Sequence, residues 1–280
     1  MLQVAEAAAQ PVGTLHAIVL GLVEGLTEFL PVSSTGHLIV ANSWLGRSDP
    51  AMEVAMQAGA ITAIVVLYWR RLLGALTTLR RPQPGRTNLL WLLFVAALPA
   101  AVVGILCDDW IEVHLFSVRT VAWALMVGGI ALWILERWYA QRPNAAAIPL
   151  ELMTLKHAFA IGLCQCLALI PGTSRSAATI AGGLVLGYGR TAAAEFSFLV
   201  GLPILYGASA LKLVHDRERL TGPLLGDFLV ACAVSFVTAL AVVVPFVAFL
   251  RRHTFVPFAV YRVAFGALLL LLLGRGTIAG

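Results

Sequence analysis

Long apolar runs separated by short clusters of charge dominate the chain from one end to the other. A helix that crosses a bilayer needs about 20 predominantly apolar residues for a hydrocarbon core roughly 30 Å thick. Runs at about 51–69, 89–106, 118–138, 193–213, 226–250 and 255–273 meet that need, so six transmembrane helices are predicted. Two further apolar stretches are broken. Residues 12–30 run into Pro31 and a short apolar piece follows at 37–46; residues 157–170 run into Pro171, followed by 176–187. A ten-residue helix covers only about 15 Å, so each stretch predicts a re-entrant helical hairpin with its tip inside the membrane. Irregular backbone at that depth is tolerated only when buried in protein or lining a wet cavity.

The two hairpins resemble each other. The stretch from Gly21 to Thr35 aligns with that from Gly162 to Arg175 once one gap is allowed, and Glu53 precedes Gly59 at the spacing with which Glu195 precedes Gly201. Each half, about 12–138 and 157–273, is then one hairpin plus three spans, and an odd number of crossings inverts the second copy relative to the first. The proline tips should approach from opposite faces and meet near the midplane. The predicted fold is an all-α polytopic membrane protein, a single membrane domain over 1–280 with an inverted-topology repeat, six transmembrane helices and two re-entrant hairpins.

Composition supports that reading: 60% of the residues are hydrophobic and 12% charged, against about 25% charged in soluble domains. The net charge of +5 falls in short loops, as the positive-inside rule expects of topology signals, and is not a nucleic-acid footprint. Arg70, Arg71, Arg80, Arg81 and Arg86 are expected in a cytoplasmic loop, with Asp108, Asp109 and Glu112 in an outer one. Arg137, Arg142, Lys156, Arg251 and Arg252 return to the cytoplasm, which leaves both termini outside. Lys212, Arg217 and Arg219 are an outer-side exception, offset in part by Asp216 and Glu218. Cys107, Cys164, Cys166 and Cys232 form no CxxC pair and read as buried free thiols. Residues 1–11 lack a basic n-region, so no cleavable signal peptide is expected. The tryptophans, with His16, His114, His157, His215 and His253, are expected at the membrane interfaces.

Candidate chemistry gathers at the tips. Glu24 and Glu28 share a helix face, and an ionisable residue within the membrane points to function by default. The two carboxylates either hold a divalent cation through oxygen ligands or supply a general acid or base; a structural pair bonded to backbone or Thr27 is the plainer alternative. Ser33, Ser34, Thr35, Gly36 and His37 follow Pro31, where a helix start offers unpaired N–H groups to an anion. His37 can exchange a proton with a neighbouring hydroxyl, while simple N-capping is what Ser and Thr do at any helix start. The second tip repeats the design with Thr173, Ser174, Arg175 and Ser176. Arg175 needs an anionic partner, and its fork suits phosphate oxygens; an internal ion pair to Glu24, Glu28 or Glu195 could alternate with substrate. Together these groups predict a phosphate site. Gln165, aligned near Glu24, is a candidate cavity residue, whereas Glu53 and Glu195 are read as structural, satisfying backbone groups at the tips.

On these residues, EGLTEFLPVSSTGH (Glu24–His37) and PGTSRS (Pro171–Ser176), together with AAEFSFL at 193–199 and FVPFAVYR at 255–262, the chain resembles the undecaprenyl-diphosphate phosphatases of the bacitracin-resistance type. The resemblance implies a multi-pass enzyme of the bacterial inner membrane that uses a divalent cation, Mg2+ or Ca2+; the orientation of the hairpins is what places the expected site on the periplasmic side. Such an enzyme converts undecaprenyl diphosphate to the monophosphate and inorganic phosphate, which recycles the lipid carrier of peptidoglycan synthesis and confers bacitracin resistance. It places the family's paired acids on Glu24 and Glu28, its serine–histidine element on Ser34 and His37, and its phosphate-binding arginine on Arg175. Ser33, Thr35, Thr173, Ser174 and Ser176 are the accompanying phosphate-binding candidates. Ala177 departs from the family's usual glycine without removing a chemical group. A second membrane phosphatase family, with a PSGH motif, is set aside because no histidine–aspartate pair at helical spacing follows Arg175. The expected reaction has Ser34 attacking the terminal phosphorus with His37 or Glu28 taking its proton; attack by His37 or by water are the alternatives. The expected partners are a polyprenyl diphosphate and membrane lipid, with no nucleic acid and a homodimer as a candidate assembly. The rival reading is a secondary transporter or flippase for a polyprenyl phosphate, since inverted repeats and broken helices also build transporters.

Overall fold

Apolar runs without strand-like alternation fold as helices, which satisfy their own backbone hydrogen bonds and so can lie in lipid. A computed structural model describes residues 13–45, 50–79, 86–142, 147–215 and 225–278. Its helices are α1 (Thr14–Thr27), α2 (Ser34–Leu45), α3 (Pro50–Leu79), α4 (Leu89–Leu115), α5 (Val118–Ala140), α6 (Leu155–Gln165), α7 (Arg175–Val185), α8 (Arg190–His215), α9 (Leu225–Leu250) and α10 (Val256–Gly274). Short 3-10 turns lie at Leu150–Leu152 and Cys166–Leu169. Six helices, namely α3, α4, α5, α8, α9 and α10, are long and apolar enough to cross a membrane. Their outward faces carry exposed large apolar side chains such as Ile105, Leu106, Val113, Val127 and Val237, as helices bathed in lipid should.

Several helices outrun the apolar stretches that announce them. Arg70 and Arg71 sit on α3, which continues to Leu79, and not in a loop; the helix kinks at Tyr68 (φ −108°, ψ 15°). Arg71 can remain on the helix because Glu151 and Glu195 both accept from its guanidinium. Asp108, Asp109 and Glu112 likewise ride on the end of α4, where their exposed side chains leave the helix backbone bonded. Arg137 lies in the last turn of α5. The four cysteines are half-buried free thiols, less enclosed than expected. Of the expected interfacial histidines, His157 is drawn inward to the Tyr188 hydroxyl at 2.7 Å. Residues 1–11, Arg80, Arg81, Asp216, Arg217, Glu218 and Arg219, with the side chains of Lys212 and His215, lie outside the described residues.

The four short helices are set apart by their length and by what holds their ends. At 1.5 Å per residue, α1 and α2 are about 21 and 18 Å long, and α6 and α7 about 17 Å each, all short of the hydrocarbon core. α1 begins beside the start of α9, where Asp227 accepts from the Gly13 N–H (3.0 Å) and the Thr14 hydroxyl (3.2 Å). The His16 ring reaches the Leu45 carbonyl (3.1 Å), joining the beginning of α1 to the end of α2. α7 instead ends beside the close of α5, where the Tyr139 hydroxyl donates to the Tyr188 carbonyl (3.0 Å). The buried Glu136 pairs with Arg190 there.

Close backbone approach positions the short helices against the long ones. α1 packs on α9, and α6 on α4. A Cβ on Gly21 or Gly25 would stand 2.7 or 2.6 Å from the Ala231 or Ser235 carbonyl, and one on Gly162 would stand 2.5 Å from that of Ala96. Apolar side chains gain little by meeting one another in lipid, so small residues that admit backbone contact provide the association. Gly25→Leu should therefore prise α1 from α9 and cost about 1–3 kcal/mol, as overpacking typically does. The thermal midpoint in detergent should fall for Gly25→Leu and hold for Gly74→Leu, whose added Cβ meets open space. Equal midpoints for the two variants would refute this packing argument.

Candidate functional site

Each short-helix pair turns through a proline, and the two turns share an unusual conformation. Ser33 (φ 69°) and Ser174 (φ 71°) are the non-glycine residues of positive φ among the described residues. Each immediately precedes the first residue of a short helix, Ser34 or Arg175. Left-handed backbone costs an L-residue roughly 1–2 kcal/mol, and such strain clusters at functional sites. The shared geometry makes Ser34 and Arg175 counterparts, with the second turn one residue longer after its proline. Gly172 occupies the extra place with φ 93°, where a Cβ would come within 2.5 Å of the Val121 carbonyl.

The turns meet at Glu28, the residue that closes α1. Its Oε2 accepts from the Ser34 hydroxyl at 2.9 Å. Its Oε1 accepts from Arg175 Nη2 at 3.2 Å and Nε at 3.4 Å. One carboxylate thus touches the hydroxyl of one turn and the guanidinium of the other, and both charged side chains are more than nine-tenths buried. Arg175 Nη1 also donates to the Ser197 carbonyl of α8 (2.7 Å), and the guanidinium lies flat against Gly201, where a Cβ would stand 3.0 Å away. Of the internal partners weighed for Arg175, the structure brings Glu28. Glu195 pairs instead with Arg71 and so does not satisfy backbone groups at a turn; its structural role is an ion pair.

Glu24 lies one helical turn before Glu28, fully buried, and neither of its carboxylate oxygens has a hydrogen-bond partner among the described residues. It is within electrostatic reach of Glu28, Glu53 and Arg175. Two orphaned hard oxygens beside a second carboxylate fit a divalent cation. No group of three or more His, Cys, Asp or Glu side chains that could hold a metal occurs among the described residues. A cation at Glu24 and Glu28 would therefore complete its shell with water or substrate oxygens, as Mg2+ commonly does. Thr27, weighed as a partner for the acids, gives its hydroxyl to the Val23 carbonyl (2.6 Å).

The other candidates divide by what already engages them. His37 Nδ1 is 2.8 Å from the Ser33 carbonyl, which can only accept, so Nδ1 carries the proton and Nε2 accepts from the Tyr261 hydroxyl at 2.6 Å. The ring also stacks on Phe265 and Tyr261. Both ring nitrogens are thereby occupied away from Ser34. The Ser176 hydroxyl donates across to the Leu30 carbonyl (2.9 Å). Ser174 lies 3.0 Å from Ser176 and accepts from the Ala177 N–H (3.3 Å). The Ser176 hydroxyl thus stitches the turns together, while Ser174 caps its own helix. Thr35 and Thr173 are half-buried beside them, and Ser33 is buried. Gln165 is buried against α4, donating to the Ala96 carbonyl (3.4 Å) with its own oxygen unpartnered.

Two neighbours on α10 have no role in the sequence reading. Tyr261 gives no periodic or charge signal. Arg262 does give one, because it is an arginine within an apolar run of the kind that singles out Arg175.

The chain matches the family described as Bacitracin resistance protein BacA over residues 17–268. It is 46% identical over 261 residues to a protein named undecaprenyl-diphosphatase from Maridesulfovibrio salexigens, covering 91% of this chain and 96% of the relative. A protein of the same name from Nitratidesulfovibrio vulgaris is 47% identical over 262 residues, covering 91% and 96%. One from Bdellovibrio bacteriovorus is 41% identical over 266 residues, covering 94% and 97%. With six helices among the described residues long and apolar enough to cross a membrane, and a match over most of its length, this multi-pass membrane protein belongs to the Bacitracin resistance protein BacA family.

Proposed function

We propose that the protein hydrolyses undecaprenyl diphosphate to undecaprenyl monophosphate and inorganic phosphate, recycling the lipid carrier of peptidoglycan synthesis and conferring bacitracin resistance. The observation that carries the reading is the single carboxylate of Glu28 lying between Ser34 and Arg175, in a chain whose relatives are named undecaprenyl-diphosphatase. A transporter or flippase is not favoured, because those relatives are named for hydrolysis.

The reaction follows from which groups are free to act. A diphosphate carries more charge than one carboxylate, so on entry it takes over Arg175 from Glu28 through the two-point contacts that a guanidinium makes with phosphate. Glu28 then keeps Ser34 as its partner and accepts the hydroxyl proton. The Ser34 oxygen bonds to the terminal phosphorus as the bridging P–O bond breaks, and the polyprenyl monophosphate leaves with the bond's electron pair. Water then hydrolyses the phosphoserine to free phosphate. A divalent cation, Mg2+ or Ca2+, held by Glu24 and Glu28 would neutralise phosphate charge. His37, tied to Ser33 and Tyr261, shapes the first turn; it is less well placed than Ser34 to be the nucleophile. Positioning and charge neutralisation supply most of the acceleration in phosphoryl transfer.

The membrane is taken to be the bacterial inner membrane, with the two short-helix pairs as hairpins entering from opposite faces and related as inverted halves. Support comes from their ends, held beside the start of α9 and the close of α5 respectively. Support also comes from arginine–tryptophan stacks at one face, Arg70 on Trp69, Arg137 on Trp133 and Arg142 on Trp138, which the positive-inside rule assigns to the cytoplasm. The first pair and its acids then open to the periplasm.

Purified protein should release phosphate from a polyprenyl diphosphate. Ser34→Ala and Arg175→Ala should each lower kcat/KM by about 1,000-fold, the scale of losing a group that acts at the transferred phosphoryl. Near-full activity of Ser34→Ala would exclude it as nucleophile, and no release by wild type with or without cation would return the case to transport. Chelation should abolish release and added Mg2+ or Ca2+ should restore it; a rate indifferent to chelator would remove the cation from the scheme. A cysteine placed beside Glu24 should react with impermeant reagents from the periplasmic side of sealed vesicles, and labelling from the cytoplasmic side alone would reverse the orientation.

A further inference from the structure

Arg262 is completely buried in α10, and no carboxylate pairs with it among the described residues. Its guanidinium is spent on backbone carbonyls. Nη1 donates to Pro31 (3.3 Å), Nη2 to Gly172 (3.2 Å) and Ala124 (3.2 Å), and Nε to Leu125 (3.4 Å). Pro31 and Gly172 belong to the two different turns, each three residues before the group that acts there, Ser34 and Arg175. Ala124 and Leu125 belong to α5, so the two turns are referenced to one rigid helix. Room for this is made by Gly128, where a Cβ would stand 2.2 Å from Nη2.

We infer that Arg262 is a positioning residue that holds the two turns in register, so that the Ser34 hydroxyl and the Arg175 guanidinium keep the spacing needed to act on one diphosphate. The inference rests on the phosphatase reading. A planar fork with five donors can serve carbonyls that converge from two turns and a helix, whereas an ammonium on a flexible stem cannot hold all of them. Charge alone is therefore insufficient, and shape is what the site demands. When substrate draws Arg175 off Glu28, the side-chain bridge between the turns is broken at the moment of reaction. The Arg262 bonds, together with Ser176 to the Leu30 carbonyl, are those that persist.

The test uses Arg262→Lys, which keeps the charge and loses the fork, and Gly128→Ala, which keeps Arg262 and displaces its guanidinium. Phosphate release is measured per folded molecule, by normalising to monodisperse protein. Spin labels on cysteines replacing Thr35 and Thr173, in a background without the native cysteines, report the spacing between the turns without needing turnover. Both variants should lower kcat by about 100-fold, the scale of an ångström-sized misplacement, with KM little changed and the distance distribution broadened. A loss of folded protein with full specific activity in what remains would overturn the inference, as would a fall in kcat with an unaltered distance distribution. If wild type releases no phosphate, the phosphatase reading fails. The distance measurement still decides whether Arg262 holds the turns together.

Discussion

Backbone that leaves a helix inside an apolar layer must have its polar groups satisfied by protein, because lipid offers no partners and each unmet group costs several kcal/mol. At the two proline turns such partners come from the opposite turn, from α10 and from α2. Ser176 serves the Leu30 carbonyl, Arg262 serves those of Pro31 and Gly172, and His37 serves that of Ser33. The helices around them are arranged so that these partners arrive. Glycines let α1 sink onto α9 and α6 onto α4, and α10 packs with Arg262 fully enclosed by its neighbours. Either turn alone would leave carbonyls stranded, so the geometry of the site and the stability of the fold depend on the same contacts.

Charge at the site follows a different rule. A buried ion pair such as Glu28 with Arg175 gains little net stability, since desolvation offsets most of the attraction. That near-balance suits a group that must change partners. Glu28 compensates Arg175 in the structure, and in the proposed reaction an anion of greater charge claims it. Glu24 goes further, holding two oxygens that no donor among the described residues meets. An unmet carboxylate in the interior is destabilising by itself, and is retained where a ligand supplies the missing partner. The acids therefore differ by position: Glu28 is engaged with protein, and Glu24 leaves its oxygens open for the proposed cation that both would hold.

The order of the chain makes much of this legible. Run length decides which segments cross a membrane, and Pro31 and Pro171 mark where two others cannot. Spacing of four puts Glu24 and Glu28 on one helix face, and an arginine in an apolar stretch demands a partner wherever it lies. These properties are local, depending on rise per residue, on proline's missing N–H and on the expense of burying charge. Partner choice is not local. Nothing near Glu195 in the chain announces Arg71, and nothing near His37 announces Tyr261, more than two hundred residues away. Ser176 looks free to bind phosphate until the first turn arrives to use it. Arg262 gives the same signal as Arg175, but whether such a group faces a cavity or a ring of carbonyls depends on what packs around it. Local energetics settled the helices, the breaks and the kinds of group present. Packing across the chain settled which donor meets which acceptor, because a hydrogen bond exists only where two partners from distant segments come within 3 Å or so.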